Sequence, residues 1–100
     1  MTQHNHFTEW LSGTNYDWLK IQVQDLLIQS QFDILDFSEY EDDRGSSGIW
    51  FLPYGSLALH TFPKRNRTFI ELSSFDHKKY LDFIIHFKEF RQDNFGRIKI

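Results

Sequence analysis

The 100-residue chain has no cysteine, which excludes disulfide cross-links and thiolate chemistry. Proline occurs only twice and the five glycines are scattered, so no glycine-rich loop is present to cradle a phosphate. No apolar run approaches the roughly 18 residues that cross a bilayer. The opening Met1-Thr2-Gln3-His4-Asn5-His6 lacks the basic-then-apolar pattern of a signal peptide, and a cytoplasmic location is expected. Without a secretion signal, the sequon Asn66-Arg67-Thr68 carries no meaning. Excess positive charge is also missing: the net charge is −3, and a protein that grips nucleic-acid phosphates is not expected.

Aromatic residues, by contrast, are abundant, with 11 Phe, 4 Tyr and 3 Trp. A chain of this length buries only about two-thirds of its unfolded surface, so large side chains suit its core. Their number leaves some for a pocket or a subunit contact. No linker, repeat or low-complexity tract divides the chain, and residues 1–100 are read as a single domain.

Periodicity gives the elements. His6 to Leu11 reads as a strand ended by Ser12-Gly13. Thr14 followed by Asp17 resembles a capping box, and Tyr16, Leu19, Val23, Leu26 and Leu27 share one face of a helix ending near Ser30. Phe32 to Tyr40 reads as a strand centred on Ile34 and Leu35, followed by a polar loop from Glu41 to Ser47. Three short strands are expected at Gly48–Pro53, Ser56–Phe62 and Thr68–Ser73. Within the second, Leu57, Leu59 and Thr61 alternate with Ala58, His60 and Phe62. Pro63 to Arg67 makes a hairpin turn whose basic side chains suit a solvated surface. Ser73 or Ser74 is expected to cap a second helix with Asp76 in its first turn and Tyr80, Phe83, Ile84 and Phe87 facing the sheet. Arg97 to Ile100 is expected as a last, edge strand. The fold class is therefore α+β: a two-layer sandwich with a largely antiparallel sheet and two helices on one face.

Several arrangements fail on inspection. His4 and His6 lack further ligands to complete a zinc set. His77 and His86, nine positions apart on one helix, lie on opposite faces. Glu39, Glu41, Asp42 and Asp43 form an acidic loop that suits solvent better than a cation or a polyamine. Ser56, His60 and Asp76 make no triad, because four strand positions separate Ser56 from His60 by roughly 13 Å.

The run from Ser47-Gly48 through Ile49-Trp50-Phe51-Leu52-Pro53-Tyr54-Gly55-Ser56 to His60-Thr61-Phe62-Pro63 resembles the central segment of bacterial S-adenosylmethionine decarboxylases. In that family a serine-glycine pair leads to a Glu-Ser-His processing site and then to a strand ending His-Thr-aromatic-Pro. Thr68 to Ser74, with Glu71, is similar to the family's next strand, and His6 to Gly13, with Glu9, to its opening strand. The family's serine cleaves the backbone and becomes a pyruvoyl group, the electron sink for decarboxylation. In ungapped register that Glu-Ser-His falls on Tyr54-Gly55-Ser56, so the precursor serine is replaced by Gly55. The family's proton-donor cysteine falls on Phe75. Ser47 and His60 match the residues that assist self-cleavage.

The resemblance implies a non-catalytic relative, without cofactor or metal, that acts as a ligand-binding or regulatory partner subunit in polyamine (spermidine) synthesis. Its ligand would be S-adenosylmethionine or a related small molecule. Phe7, Glu9, Tyr54, Gly55, Ser56, His60 and Glu71 are the candidate ligand residues, with Phe7 either stacking on adenine or belonging to the core. A homodimer, or a heterodimer with a related decarboxylase, is the implied assembly. Two alternatives stand beside this reading. One is an active, pyruvoyl-dependent decarboxylase whose serine has shifted to Ser56, and the other is an unrelated protein-interaction domain.

Overall fold

The computed structural model describes residues 3–96. Five strands, β1 (Asn5–Ser12), β2 (Asp36–Asp42), β3 (Gly45–Leu52), β4 (Gly55–Phe62) and β5 (Arg67–Ser74), form one sheet in the order β1-β5-β4-β3-β2. Every neighbouring pair is antiparallel. Two helices, α1 (Tyr16–Gln29) and α2 (His77–Phe95), complete the α+β fold.

The strand alternation decides which face is covered. Leu57, Leu59 and Thr61 of β4 are buried, as are Thr68, Ile70, Leu72 and Ser74 of β5 and Trp50 and Leu52 of β3. They join Leu19, Val23, Leu26 and Leu27 of α1 and Phe83, Phe87 and Phe90 of α2 in one core. Both helices thus lie on the same side of the sheet. The indole of Trp50, fully buried, still donates to Gln24 Oε1 at 3.1 Å, so its polar edge is satisfied. Phe83 and Phe87 stack with ring centroids 6.0 Å apart, and Phe87 meets Phe7 edge-on at 5.2 Å.

The outer edge of β1 is closed by side chains of α2. Tyr80 Oη donates to the His6 carbonyl at 3.1 Å, and Arg91 Nη1 donates to the Trp10 carbonyl at 2.9 Å. The opposite edge, β2, carries Asp36, Glu39, Glu41 and Asp42.

Local chemistry moved several boundaries from their expected places. Asn15, not Thr14, caps α1, its side chain accepting from the Trp18 amide. Asp76, not Ser73 or Ser74, caps α2 by accepting from the Lys79 amide, while Ser74 Oγ accepts from the Asp76 amide. The strand expected from Phe32 begins only at Asp36. Gln31 takes a left-handed φ of 65° at the end of α1, Phe32 turns into the core, and Leu35 is left 66% exposed. Apolarity misplaced this strand because an edge strand is defined by its pairing partner, here β3, and carries mostly polar side chains. The expected loop at Glu41–Ser47 is a tight turn at Asp43-Arg44. Asp42 accepts from the Arg44 amide and pairs with its guanidinium, and Gly45 already belongs to β3. The last strand expected at Arg97 to Ile100 lies outside the described residues.

Phe83 is fully buried at the centre of the helix layer. Phe83→Ala is expected to cost about 3–5 kcal/mol of unfolding free energy, measured by denaturant titration. A loss below about 1 kcal/mol would mean that the buried face of α2 has been misassigned.

Candidate functional site

The face of the sheet turned away from the helices carries most of the residues singled out from the sequence. Cross-strand pairing aligns them in rows. Trp10, Phe69, His60, Ser47 and Tyr40 form one row, and Thr8, Glu71, Ala58, Ile49 and Ser38 the next. A third row holds His6, Ser73, Ser56, Phe51 and Asp36.

Ser47 and His60 are direct cross-strand partners, and a hydrogen bond of 2.8 Å joins Ser47 Oγ to His60 Nδ1. They border a shallow hollow of about 260 Å³ rimmed by Tyr40, Arg44 and Phe62. Gly55 begins β4, five positions from His60 and so roughly 16 Å along the same strand. Within one chain the Ser47–His60 pair therefore does not reach position 55. Ser56 is four positions from His60 on the same face, roughly 13 Å away, and lines a different hollow.

Position 55 is closed as well as chemically blank. It pairs with Ser74 of β5. A Cβ built there would fall 2.9 Å from Ser74 Cα and deep inside contact with the Ser73 carbonyl oxygen. These are backbone atoms, which cannot swing aside as a flexible side chain does. Tyr54, just before, has a left-handed φ of 61° and is 78% exposed, and its carbonyl accepts from the Phe75 amide at 3.1 Å. Phe75 offers no exchangeable side-chain proton, and its ring packs against His4 with centroids 4.9 Å apart.

The second hollow, about 410 Å³, is lined by His4, His6, Ser56, Ala58, Glu71 and Ser73. Its polar groups are already linked in pairs. His6 Nε2 meets Glu71 Oε2 at 2.8 Å, and His4 Nε2 meets Ser73 Oγ at 2.6 Å. This hollow offers one carboxylate, two serine hydroxyls and two imidazoles to a small polar ligand. A carboxylate flanked by hydroxyls suits an ammonium group, which donates and never accepts.

The seven residues named from the sequence thus divide. Ser56 and Glu71 meet in this hollow, and His60 is on the same face but in the neighbouring one. Tyr54 and Gly55 lie at the turn. Phe7 and Glu9 are on the other side of the sheet: Phe7 packs on Phe87, and Glu9 Oε1 lies 3.7 Å from Arg91 Nη1 beneath α2. Odd-numbered positions of β1 point toward the helices, so Phe7, half-buried, packs against the core and does not face a ligand bound beside Glu71. Sequence reading passed over His4 as a neighbour of Ser73 and Arg67 as a neighbour of Trp10, whose ring the guanidinium covers at 4.1 Å. Both are cross-strand contacts, for which linear spacing carries no signal.

The acidic segment lines a third hollow, about 630 Å³, between the start of α1 and the β2–β3 turn. Two of its carboxylates are already engaged. Glu39 accepts from Tyr16 Oη at 2.7 Å and from Lys20 Nζ at 3.3 Å, which hold its carboxyl below the usual range. Tyr16 is pushed the other way, by partial burial and then by the same hydrogen bond. Asp42 is held low by Arg44. Among the described residues no three metal-ligating side chains converge, and no helix is long and apolar enough to cross a membrane.

No protein-family model matches the sequence, and no curated protein matches it. Among solved structures, the chain is similar to the adenosylmethionine decarboxylase from Aquifex aeolicus, with a TM-score of 0.61. The alignment covers 84% of this chain and 79% of that one at 14% identity. The two share the fold.

Gly55→Ser tests the closed position. Because the new side chain meets backbone, the variant is expected to lose about 1–3 kcal/mol of stability, as overpacked sites do, and to stay uncleaved. Denaturant titration and intact-mass measurement report the two effects. A stable variant that cleaves itself would show that the surrounding sheet does not close this position.

Proposed function

We propose that this chain is a non-catalytic S-adenosylmethionine decarboxylase-like protein, acting as a ligand-binding or regulatory partner subunit linked to polyamine (spermidine) synthesis. The observation that carries the reading is Gly55, packed against the Ser73 and Ser74 backbone at the position where the resembling family keeps its cofactor-forming serine. The residues here do not fit a pyruvoyl group: position 55 has neither a hydroxyl nor room for one. Ser56 has the hydroxyl, but the Ser47–His60 pair lies about four strand positions away. The shared fold with an adenosylmethionine decarboxylase and the cross-strand Ser47–His60 bond support descent from a processing ancestor.

The ligand is S-adenosylmethionine or a related amine-bearing small molecule, held in the hollow of Ser56, Glu71, Ser73, His4 and His6. Glu71 would accept from the ligand's ammonium, and the two serines would bond its remaining polar edge. The partner is a second copy or a related decarboxylase, and the cytoplasm is the expected compartment.

Intact-mass spectrometry under denaturing conditions separates the inactive protein from an active one. A single chain of 12.1 kDa is expected. Two fragments, one ending at Gly55, would establish processing at Ser56 and overturn the non-catalytic reading. Thermal denaturation then tests binding. S-adenosylmethionine at 100 times its dissociation constant stabilises a fold by about 2.7 kcal/mol, and Glu71→Gln is expected to abolish the resulting shift. Absence of a shift with the native chain would remove the ligand and leave a partner-binding domain.

A further inference from the structure

The hollow of Ser56, Glu71 and Ser73 holds a single carboxylate, and the groups lining it that can carry positive charge are the imidazoles of His4 and His6. Among the described residues, no lysine or arginine borders it. Even-numbered positions of β1 share the face turned away from the helices. Thr8 stands directly opposite Glu71 there, and His6 opposite Ser73. His6 and Glu71 are therefore diagonal neighbours, a separation that two long side chains can span. His6 Nε2 lies 2.8 Å from Glu71 Oε2.

The main chain that carries His6 is anchored from the helix side. Buried Asn5 donates from Nδ2 to the Ser74 carbonyl at 3.1 Å, and its Oδ1 lies 2.9 Å from His77 Nδ1. Tyr80 Oη donates to the His6 carbonyl. The two side chains themselves are open to exchange of partners. Those of His6 and Glu71 are 47% and 41% exposed, and an ion pair so open to water is held weakly. Neighbouring charges are otherwise engaged. His4 bonds Ser73 Oγ and packs on Phe75, while Glu9 and Arg91 lie together on the other side of the sheet. From β4 the hollow receives Ser56 and Ala58, neither of which titrates.

We propose that His6 is a pH-sensitive gate on this hollow: as imidazolium it occupies Glu71 and keeps amine ligands out, and as neutral imidazole it yields the carboxylate to the ligand's ammonium. The proposal rests on the ligand reading above and adds the regulation of that same site. Charge decides the competition. Histidine ordinarily changes charge between about pH 5 and 8, a range in which carboxylates ordinarily stay ionised. With His6 neutral, the pair carries a single negative charge that an ammonium can neutralise. With His6 protonated, the pair is already neutral and its hydrogen bond is charge-assisted. An incoming ammonium then meets a like charge in the same hollow. Ligand and proton thus compete for one carboxylate, and each weakens the binding of the other by the same factor.

Calorimetric titration of the native chain with S-adenosylmethionine at about pH 5.5 and about pH 7.0 tests the gate, because histidine changes charge between them while an α-amino group stays mostly protonated. Chains with neutral His6 are the competent fraction, so affinity is expected to be roughly five- to tenfold weaker at the lower pH. His6→Gln keeps a hydrogen-bond donor beside Glu71 without a titrating charge, and the bond from Tyr80 survives because it reaches the main chain. That variant is expected to match the native affinity near neutral pH and to change by less than about twofold on acidification. His4→Gln leaves the His6–Glu71 pair in place and is expected to keep the native fall. Native binding that is equally tight at both pH values overturns the gate and leaves the ligand reading standing. So does a His6→Gln chain that weakens as the native one does, or a His4→Gln chain that does not weaken. Failure of the native chain and His6→Gln alike to bind at either pH removes the ligand reading, and the gate with it.

Discussion

Everything in this molecule depends on the two-residue alternation of β4, the central strand. It pairs on both sides, with β3 and β5, so its register is fixed twice. Leu57 and Leu59 are fully buried on one side while Ser56, Ala58 and His60 emerge on the other. A slip of one residue would exchange these sets and expose two leucines, at a cost of roughly 2 kcal/mol or more for each. The burial that stabilises the core therefore also holds the polar face in place. The alignment of His60 with Ser47, and of Glu71 with Ala58, follows from the same register.

That register also explains why position 55 is so tightly packed. Gly55 is the first residue of β4 and lies against the chain at Ser73 and Ser74 because β5 pairs through to that end. Where the strands diverged earlier, a side chain would have room. The sheet leaves no room for a side chain at position 55, while Ser47 and His60 are bonded to each other a few residues away. Their bond joins two adjacent strands and satisfies two half-buried polar groups, a structural role that does not depend on any processing.

Much of this was legible in the sequence where burial and periodicity coincide. The stripes of α1 and α2 and the alternation of β4 and β5 identified the covered face, and the Ser47-to-Pro63 run pointed to the fold that comparison with solved structures also shows. Less was legible where structure comes from pairing across the sheet. β2 was placed too early because Ile34 and Leu35 are apolar, whereas the strand that forms is the polar one opposite β3. Phe7 and Glu9 were grouped with Glu71 although they stand on the far side of the sheet. The resemblance supplied positions along the chain, but only the pairing of β1 with β5 shows that Thr8, and not Phe7 or Glu9, is on Glu71's face. The His6–Glu71 and His4–Ser73 contacts link residues more than 60 positions apart, a separation at which local sequence carries no information.

The side chains that close the outer rim of β1 also limit how the protein can accumulate. Tyr80 and Arg91 occupy the carbonyls that an incoming strand would need, and the carboxylates along β2 repel a like-charged neighbour at the other end of the sheet. With both ends of the ladder defended, chains cannot add one beside another into an open-ended ribbon. At high concentration this aromatic-rich protein should therefore be spared the fibrillar route to precipitation that a five-stranded sheet with free rims would invite.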